Sequence, residues 1–503
     1  MHFYFCRDAT VIDRWLERAI NRGLKELDIS PRQMTIIHGE IVVEAEKLYR
    51  LPWVSFANNA QSLTSLNLEY VRMADIQSAK LQRDEKYLLP SLKTMSFECV
   101  WFDDKAFFSL LLECPSIKYL SLTGCTFGDF TCRVSSSSLE FLKLKFCFQL
   151  EVLQVHDETN NLESFTFFSE SAPYSLCENV IMNKSFKLKN INIFTGSYNL
   201  YDSYHLSWVT LFANAKFLTS LNLEDTRIAN ISANVQSDER LLPSLKTLSF
   251  AISWFADEAL PSLLLECPSI EYLSITECCF ENFKCQVSSL NLKSLEVMDC
   301  ERLQVLQVDE AKNLESFTFA SPLPSHEKVI LNNTFNLKNI NIGVDDLGQF
   351  SLNGCHRALK ATINVQNLHL FDFLGTLKAE FSVKGCQGAK IAVRELLFKN
   401  WFVHYSSHFP TLIGCLKEFG CCKKISLYNQ DLKALIIPNH FRKEFSSPLP
   451  KICTLEVMMP SPPTKASRDY FDLMESLHWI APSAKVKICK SETHRFDALL
   501  EEH

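Results

Sequence analysis

The chain has 503 residues, 47% of them apolar, with only 13 glycines and a formal charge of −7. That length exceeds the roughly 250 to 300 residues at which one closed core stops growing, and the acidic balance argues against nucleic acid as a main partner. No run approaches the roughly 18 apolar residues of a membrane span, and Arg7 and Asp8 interrupt the amino terminus before a secretory signal can form, so the expectation is a soluble cytoplasmic or nuclear protein with no membrane partner.

The first element is a helix. TVIDRWLERAINRG, from Thr10, places Val11, Trp15, Ala19 and Ile20 along one face and reaches Gly23, where a helix can end. Residues 1–23 therefore read as an amino-terminal cap.

Short segments of the form Leu-x-x-Leu-x-Leu, with other apolar residues allowed, then recur. They are LKELDI from Leu24, LTSLNL from Leu63, LKTMSF from Leu92, IKYLSL from Ile117, LEFLKL from Leu139, LESFTF from Leu162 and LKNINI from Leu188. A second series runs LTSLNL from Leu218, LKTLSF from Leu245, IEYLSI from Ile270, LKSLEV from Leu292, LESFTF from Leu314 and LKNINI from Leu337. Most spacings are 22 to 29 residues, the period of a leucine-rich repeat. Alternation across a strand sends Leu120 and Leu122 inward and Tyr119, Ser121 and Thr123 outward.

The two series are copies. Leu88 to Ser136 against Leu241 to Ser289 gives 33 identities in 49 positions. The offset is 153 at Pro90 and Pro243 and falls to 149 by Leu188 and Leu337, because loops change length while each unit must still cover its neighbour.

Return paths differ between repeats. DDKAFFSLLLEC, after Phe102, offers an Asp to cap a helix and leucines at helical spacing, and Pro261 in the second copy suits a first helical turn. LEVLQV from Leu150 and LQVLQV from Leu303 leave room only for extended chain. Beyond residue 350 the period loosens: KKISLY from Lys423 and ICTLEV from Ile452 read as strands, and a helix is expected near Thr411 to Phe419. SRDYFDLMESLHWIAP, from Ser467, is an amphipathic helix carrying Phe471, Met474 and Leu477 and ended by Pro482.

The expected fold is α/β, a leucine-rich-repeat solenoid (horseshoe) with a parallel concave sheet and a mixed helical and extended convex side. Its parts are the cap at 1–23, a first block at 24–197, a duplicated block at 198–350, and irregular repeats with a capping helix at 351–503. Cys125, Cys147, Cys278 and Cys300 follow strands in one phase, and no CxxC pair occurs, so the cysteines are expected buried and reduced, not paired or metal-bound. Charge is uneven. From Ser351 onward 20 Lys/Arg against 14 Asp/Glu give +6, leaving −13 on residues 1–350.

VIDRWLERAINRGLKELDIS, LPSLKTLSF, LLLECPSIEYLSI, CQVSSLNLKSLEVMDC and NLESFTFAS, in this order, resemble the leucine-rich-repeat region of plant F-box proteins. YFDLMESLHWIAPSAKVKI is similar to their closing helix and strand. The resemblance implies a protein-recognition module, the substrate-binding part of a ubiquitin-ligase receptor. Family members carry an F-box upstream, opening Leu-Pro-x-x-x-Leu, that binds the ligase adaptor. No such pattern stands ahead of Phe5, so the adaptor is expected as a partner only if an F-box exists upstream; otherwise the chain is an autonomous repeat scaffold or regulator.

No enzyme activity or cofactor is expected, because GxSxG, phosphate-loop, HExxH and GxGxxG patterns are all missing and His404 and His408 lack a third metal ligand. The candidate surface is the concave strand face: Tyr119, Ser121, Lys143, Lys145, Asn190 and Asn192 in the first copy, and Tyr272, Ser274, Glu296, Asn339 and Asn341 in the second. Lys143 and Lys145 stand opposite Glu296 and Met298, so the two halves are expected to present different surfaces to a protein partner.

Overall fold

The computed structural model describes residues 2–4, 9–20, 22–30, 35–37, 40–42, 48–51, 60–73, 89–103, 106–128, 130–147, 150–156, 158–168, 179–182, 187–194, 215–228, 242–256, 258–300, 303–321, 328–334, 336–355, 360–375, 380–386, 388–393, 405–428 and 432–490. The chain separates into two compact units, Met1–Ser249 and Phe250–His503. Both are built as leucine-rich-repeat solenoids.

In the first unit each Leu-x-x-Leu-x-Leu segment ends in a five-residue strand: Glu26–Ser30, Ser65–Glu69, Thr94–Glu98, Tyr119–Thr123, Phe141–Lys145, Ser164–Phe168, Asn190–Phe194 and Ser220–Glu224. Each pairs in parallel with the next, residue against residue without a slip. Their second and fourth residues, from Leu27 and Ile29 to Leu221 and Leu223, are at most 3% exposed. A side chain of that size contributes roughly 1.5–3 kcal/mol when buried, and a shift by one residue would turn every one of them to solvent.

The backbone between strands is knitted the same way in each turn. The amides of Lys118 and Tyr119 both donate to the Lys93 carbonyl, at 2.8 and 3.0 Å, and those of Glu140 and Phe141 both donate to Lys118, at 2.9 Å each. After the strand the chain must turn sharply. Tyr70, Cys99, Gly124, Phe146 and Asp225 have φ between 50° and 61°, and the amides of the first four donate to the next repeat's carbonyls. One position further on, Cys125 donates its thiol to the Phe97 and Thr123 carbonyls and Cys147 to those of Leu122 and Lys145. That role explains the phase of these cysteines. The described cysteines are all free thiols.

The convex side mixes short strands and helix. Trp101–Phe102 lies between Val71–Met73 and Thr126–Phe127, and Thr131–Val134, Val152–Val155 and Asn179–Met182 form a second ribbon. The helix Ala106–Leu112 buries Ala106, Phe107, Leu110 and Leu111. The Asp103 carboxylate takes the Arg72 guanidinium at 2.9 Å, and its carbonyl accepts from the Ala106 amide at 2.9 Å; Asp104 lies outside the described residues. Between the layers, Phe102 stacks on Phe127 at 5.4 Å and meets Phe97 and Phe107 edge-on.

The amino-terminal helix spans Ala9–Ile20 and stops before Gly23, at φ 70°. Its inward residues are Ile12, Leu16 and Ala19, while Trp15 is 41% exposed. The stripe through Val11 and Trp15 is thus not the packed one: it lies one residue, about 100°, around the helix. The carboxy-terminal helix Arg468–Ile480 shows the same offset. It buries Leu473, Ser476, Leu477 and Ile480 and leaves Phe471 63% exposed, with Ser467 accepting from the Tyr470 amide as its amino-terminal cap.

The second unit repeats the inner strands as Tyr272–Thr276, Ser294–Met298 and Ser316–Ser321 and the helix as Ala259–Leu265, with Pro261 in its first turn. Phe255 stacks on Phe280 at 5.0 Å and meets Phe250 edge-on, as Phe102 does on Phe127. The outer return is fully extended: Lys284–Ser288, Val305–Asp309 and Lys328–Leu331 pair in parallel.

A different construction follows. The strand Asn339–Cys355 does not turn after Ile342. Residues 339–344 pair with the inner strand 316–321, and residues 349–352 pair with the outer strand 328–331. Lys360–Gly375 lies along its whole length. From there the layers part again: Glu380–Cys386 extends the first half, and Gly388–Val393 the second. Lys424–Tyr428, Thr454–Met459 and Lys485–Lys490 continue from the latter, and the helix Tyr405–Glu418 lies against Glu380–Cys386. The carboxy-terminal strands therefore prolong the outer sheet.

Candidate functional site

Parallel pairing in register converts the outward positions of successive strands into continuous rows. In the first unit one row holds Glu26, Ser65, Thr94, Tyr119, Phe141, Ser164, Asn190 and Ser220. The middle row holds Asp28, Asn67, Ser96, Ser121, Lys143, Thr166, Asn192 and Asn222. The third runs Glu69, Glu98, Thr123, Lys145, Phe168, Phe194 and Glu224. Tyr119, Ser121, Lys143, Lys145, Asn190 and Asn192 thus share one face.

Chemistry changes along that face. Its first strands carry Glu26, Asp28, Glu69 and Glu98, with Asn67 donating to Asp28 at 3.1 Å and Ser30 donating to Glu69. The strand Phe141–Lys145 is cationic and set among rings. Tyr119 and Phe141 lie 6.4 Å apart, Phe141 is 41% exposed, Lys145 Nζ sits 4.2 Å from the centre of the Phe168 ring, and Phe146 and Phe194 flank that ring at 6.3 and 5.5 Å. Lys143 has Ser121 and Thr166 beside it in register.

The rim behaves differently. At four places the residue just after the first motif residue pairs with its counterpart in an adjacent repeat: Lys118 with Glu140 at 2.6 Å, Lys189 with Glu163 at 2.8 Å, Lys293 with Glu271 at 2.6 Å and Lys338 with Glu315 at 2.9 Å. Among the described residues neither Lys143 nor Lys145 has a carboxylate partner.

A family description of the leucine-rich repeats of FBD-associated F-box protein At5g56370 matches residues 12–199 and 185–338. The chain belongs to this repeat family. F-box protein At3g59000 of Arabidopsis thaliana is 30% identical over 167 residues, 33% of this chain and 28% of that protein. F-box/LRR-repeat protein At3g58900, from the same plant, is 27% identical over 168 residues, 33% of this chain and 43% of that protein. The matched stretch therefore spans less than half of either relative. The crystal structure of the mouse RP105/MD-1 complex aligns over 95% of this chain and 77% of that one at 13% identity, with a TM-score of 0.28, too loose to add to the strand register.

In the second unit of this chain, the rows run Tyr272, Ser294, Ser316, Asn339; Ser274, Glu296, Thr318, Asn341; and Thr276, Met298, Ala320, Gly343. Tyr272 donates its hydroxyl to Glu296 at 2.6 Å. Partial burial first, and then that bond, push the phenol above its ordinary value. Lys143, Lys145, Phe168 and Phe194 thus have as counterparts a hydrogen-bonded Glu296, Met298, Ala320 and Gly343. Asn339 and Asn341 are exposed on this face.

Strand alternation places the two lysines on this face but does not by itself give their aromatic setting. Phe141 and Phe168 occupy outward positions and could have been taken as a signal, whereas Phe146 reaches Phe168 only through the left-handed turn. Of the two histidines at metal-ligand spacing, His404 lies outside the described residues, and His408 Nε2 stands 3.2 Å from the Ala434 carbonyl. Among the described residues no three His, Cys, Asp or Glu converge as metal ligands, and no helix is long and apolar enough to cross a membrane.

Proposed function

We propose that this chain is a non-catalytic protein-recognition module whose concave strand face captures a protein partner, as the substrate-binding region of an intracellular F-box ubiquitin-ligase receptor. The observation that carries the reading is the strand Phe141–Lys145. Its lysines lack carboxylate partners among the described residues, while the rim lysines Lys118, Lys189, Lys293 and Lys338 have them. An outward cation held on a ring, in a face whose amino-terminal strands are acidic and whose remaining rows are mainly short polar side chains, supports a recognition role over a merely solvated sheet.

Affinity capture with the wild-type chain and with Lys143→Glu/Lys145→Glu tests it. Both lysines point outward, so the variant keeps its fold, checked by its circular dichroism, and is expected to lose the captured partner. An unchanged set of captured proteins would count against this face. The ligase link is tested separately: an in-frame F-box upstream supports the receptor, whereas stop codons across that stretch leave an autonomous repeat scaffold.

A further inference from the structure

We infer that the strand Phe141–Lys145 recognises an extended acidic segment of a protein partner, of the form apolar-x-acid-x-acid, laid along the strand. This deepens the recognition reading and rests on it. Phe141, Lys143 and Lys145 occupy alternate positions of one strand and face the same way. Two-residue steps along a strand are about 6.6 Å, the spacing an extended peptide gives its own alternate side chains. A peptide with an apolar residue over the exposed Phe141 ring therefore places carboxylates over Lys143 and Lys145. The Phe168 ring under Lys145 Nζ, at 4.2 Å, holds that ammonium before the ligand arrives.

Charge restricts where such a segment settles. Toward the amino-terminal end, Asp28, Glu69 and Glu98 line the same rows and repel it. The second copy has the same backbone with Ser294, Glu296 and Met298 in the three positions, and it rejects the acidic segment. The discrimination is built from attraction in one repeat and repulsion in the repeats from Thr94–Glu98 toward the amino terminus and in the second copy. Carboxylates fit better than a single phosphate, because two separated point charges match two acids and no arginine fork stands among them to grip one anion.

The test uses the intact chain and a labelled, end-blocked peptide with the core Phe-Ser-Glu-Ser-Glu, compared by fluorescence anisotropy with the same peptide carrying Gln for both Glu. The Glu peptide is expected to bind at least about tenfold tighter at low salt, with the advantage shrinking as salt rises. Lys143→Gln/Lys145→Gln should abolish the advantage, and Phe141→Ala should weaken both peptides alike. Lys143→Glu/Lys145→Glu should prefer a peptide with Lys for Glu. Grafting Ser294→Phe/Glu296→Lys/Met298→Lys should add a second site and double the stoichiometry. Equal binding of the Glu and Gln peptides, or an advantage that survives removal of both lysines, overturns the inference. So does a phosphoserine peptide bound more than about tenfold tighter than the Glu peptide, which would reassign the lysines to phosphate. If the charge-reversed variant loses its cellular partner while the two peptides bind alike, the recognition face stands and only the acidic motif falls.

Discussion

The strands Phe141–Lys145 and Ser294–Met298 occupy the same place in the two copies and differ only where packing permits. Both turn two apolar residues inward, Leu142 and Leu144 or Leu295 and Val297, each at most 2% exposed. Both are followed by a cysteine whose thiol donates to strand carbonyls, Cys147 or Cys300. Outward, one is aromatic and cationic and the other polar, acidic and hydrogen-bonded to Tyr272. Close-packed interiors admit only apolar exchanges of similar size, such as Leu144 for Val297, whereas a solvated face accepts changes of charge, so the copies changed chemical character only on the outside.

The comparison breaks first if the cores are not equivalent. Phe102→Ala and Phe255→Ala each remove a ring stacked between the layers and should each cost about 3–5 kcal/mol, read from denaturant midpoints; clearly unequal losses would show that one copy carries the stability. Alkaline pH probes both cores at once. Burial pushes the thiols of Cys114, Cys125, Cys267, Cys278 and Cys285 above their ordinary value near 9, and that of Cys415 up to about 12. Above pH 9 the unfolded chain releases thiol protons that the folded chain keeps, so stability present below that pH should decline as pH rises. Exposed Cys421 and Cys453 should react with iodoacetamide first, the buried thiols only after unfolding.

The turns should separate the copies more finely. At Gly124 a Cβ would lie 3.1 Å from Cys99 Sγ at φ 61°, and Gly124→Ala should cost about 1–2 kcal/mol. Ile252, the counterpart of Cys99, holds φ 51° with a β-branched, 43% exposed side chain, so Ile252→Gly should raise the thermal midpoint. Tyr272→Phe should cost no more than about 1 kcal/mol by removing the bond to Glu296, with no counterpart effect at Tyr119. The smallest change belongs to the rim: Lys189→Gln breaks an exposed pair with Glu163 and should vanish within error at high salt.

Much of the fold was legible because its rules are local. Leu-x-x-Leu-x-Leu specifies a strand with two buried residues, and one register then stacks every copy. The extended returns at Val152–Val155 and Val305–Asp309 followed from length alone. The helix faces were less legible, because neighbouring stripes in TVIDRWLERAI are both apolar and only contact selects one. Trp15 and Phe471 turned outward for that reason. The site was half legible: alternation placed Lys143 and Lys145 on a surface, but nothing in one strand says that Phe168 and Phe194, one and two repeats on, stand beside them.

The amino-acid sequence by itself determined the repeat, its duplication, the inward and outward assignment of each strand and the charge reversal between Lys143 and Glu296, since all of these depend on spacing and side-chain type. The tertiary structure decided what becomes neighbour to what: the rows across eight strands, the Lys145–Phe168 contact, the rim ion pairs, and the strand Asn339–Cys355 that carries both sheets. Those relations join residues some 21 to 39 positions apart, and the chain specifies them only through packing that brings one repeat down onto the next.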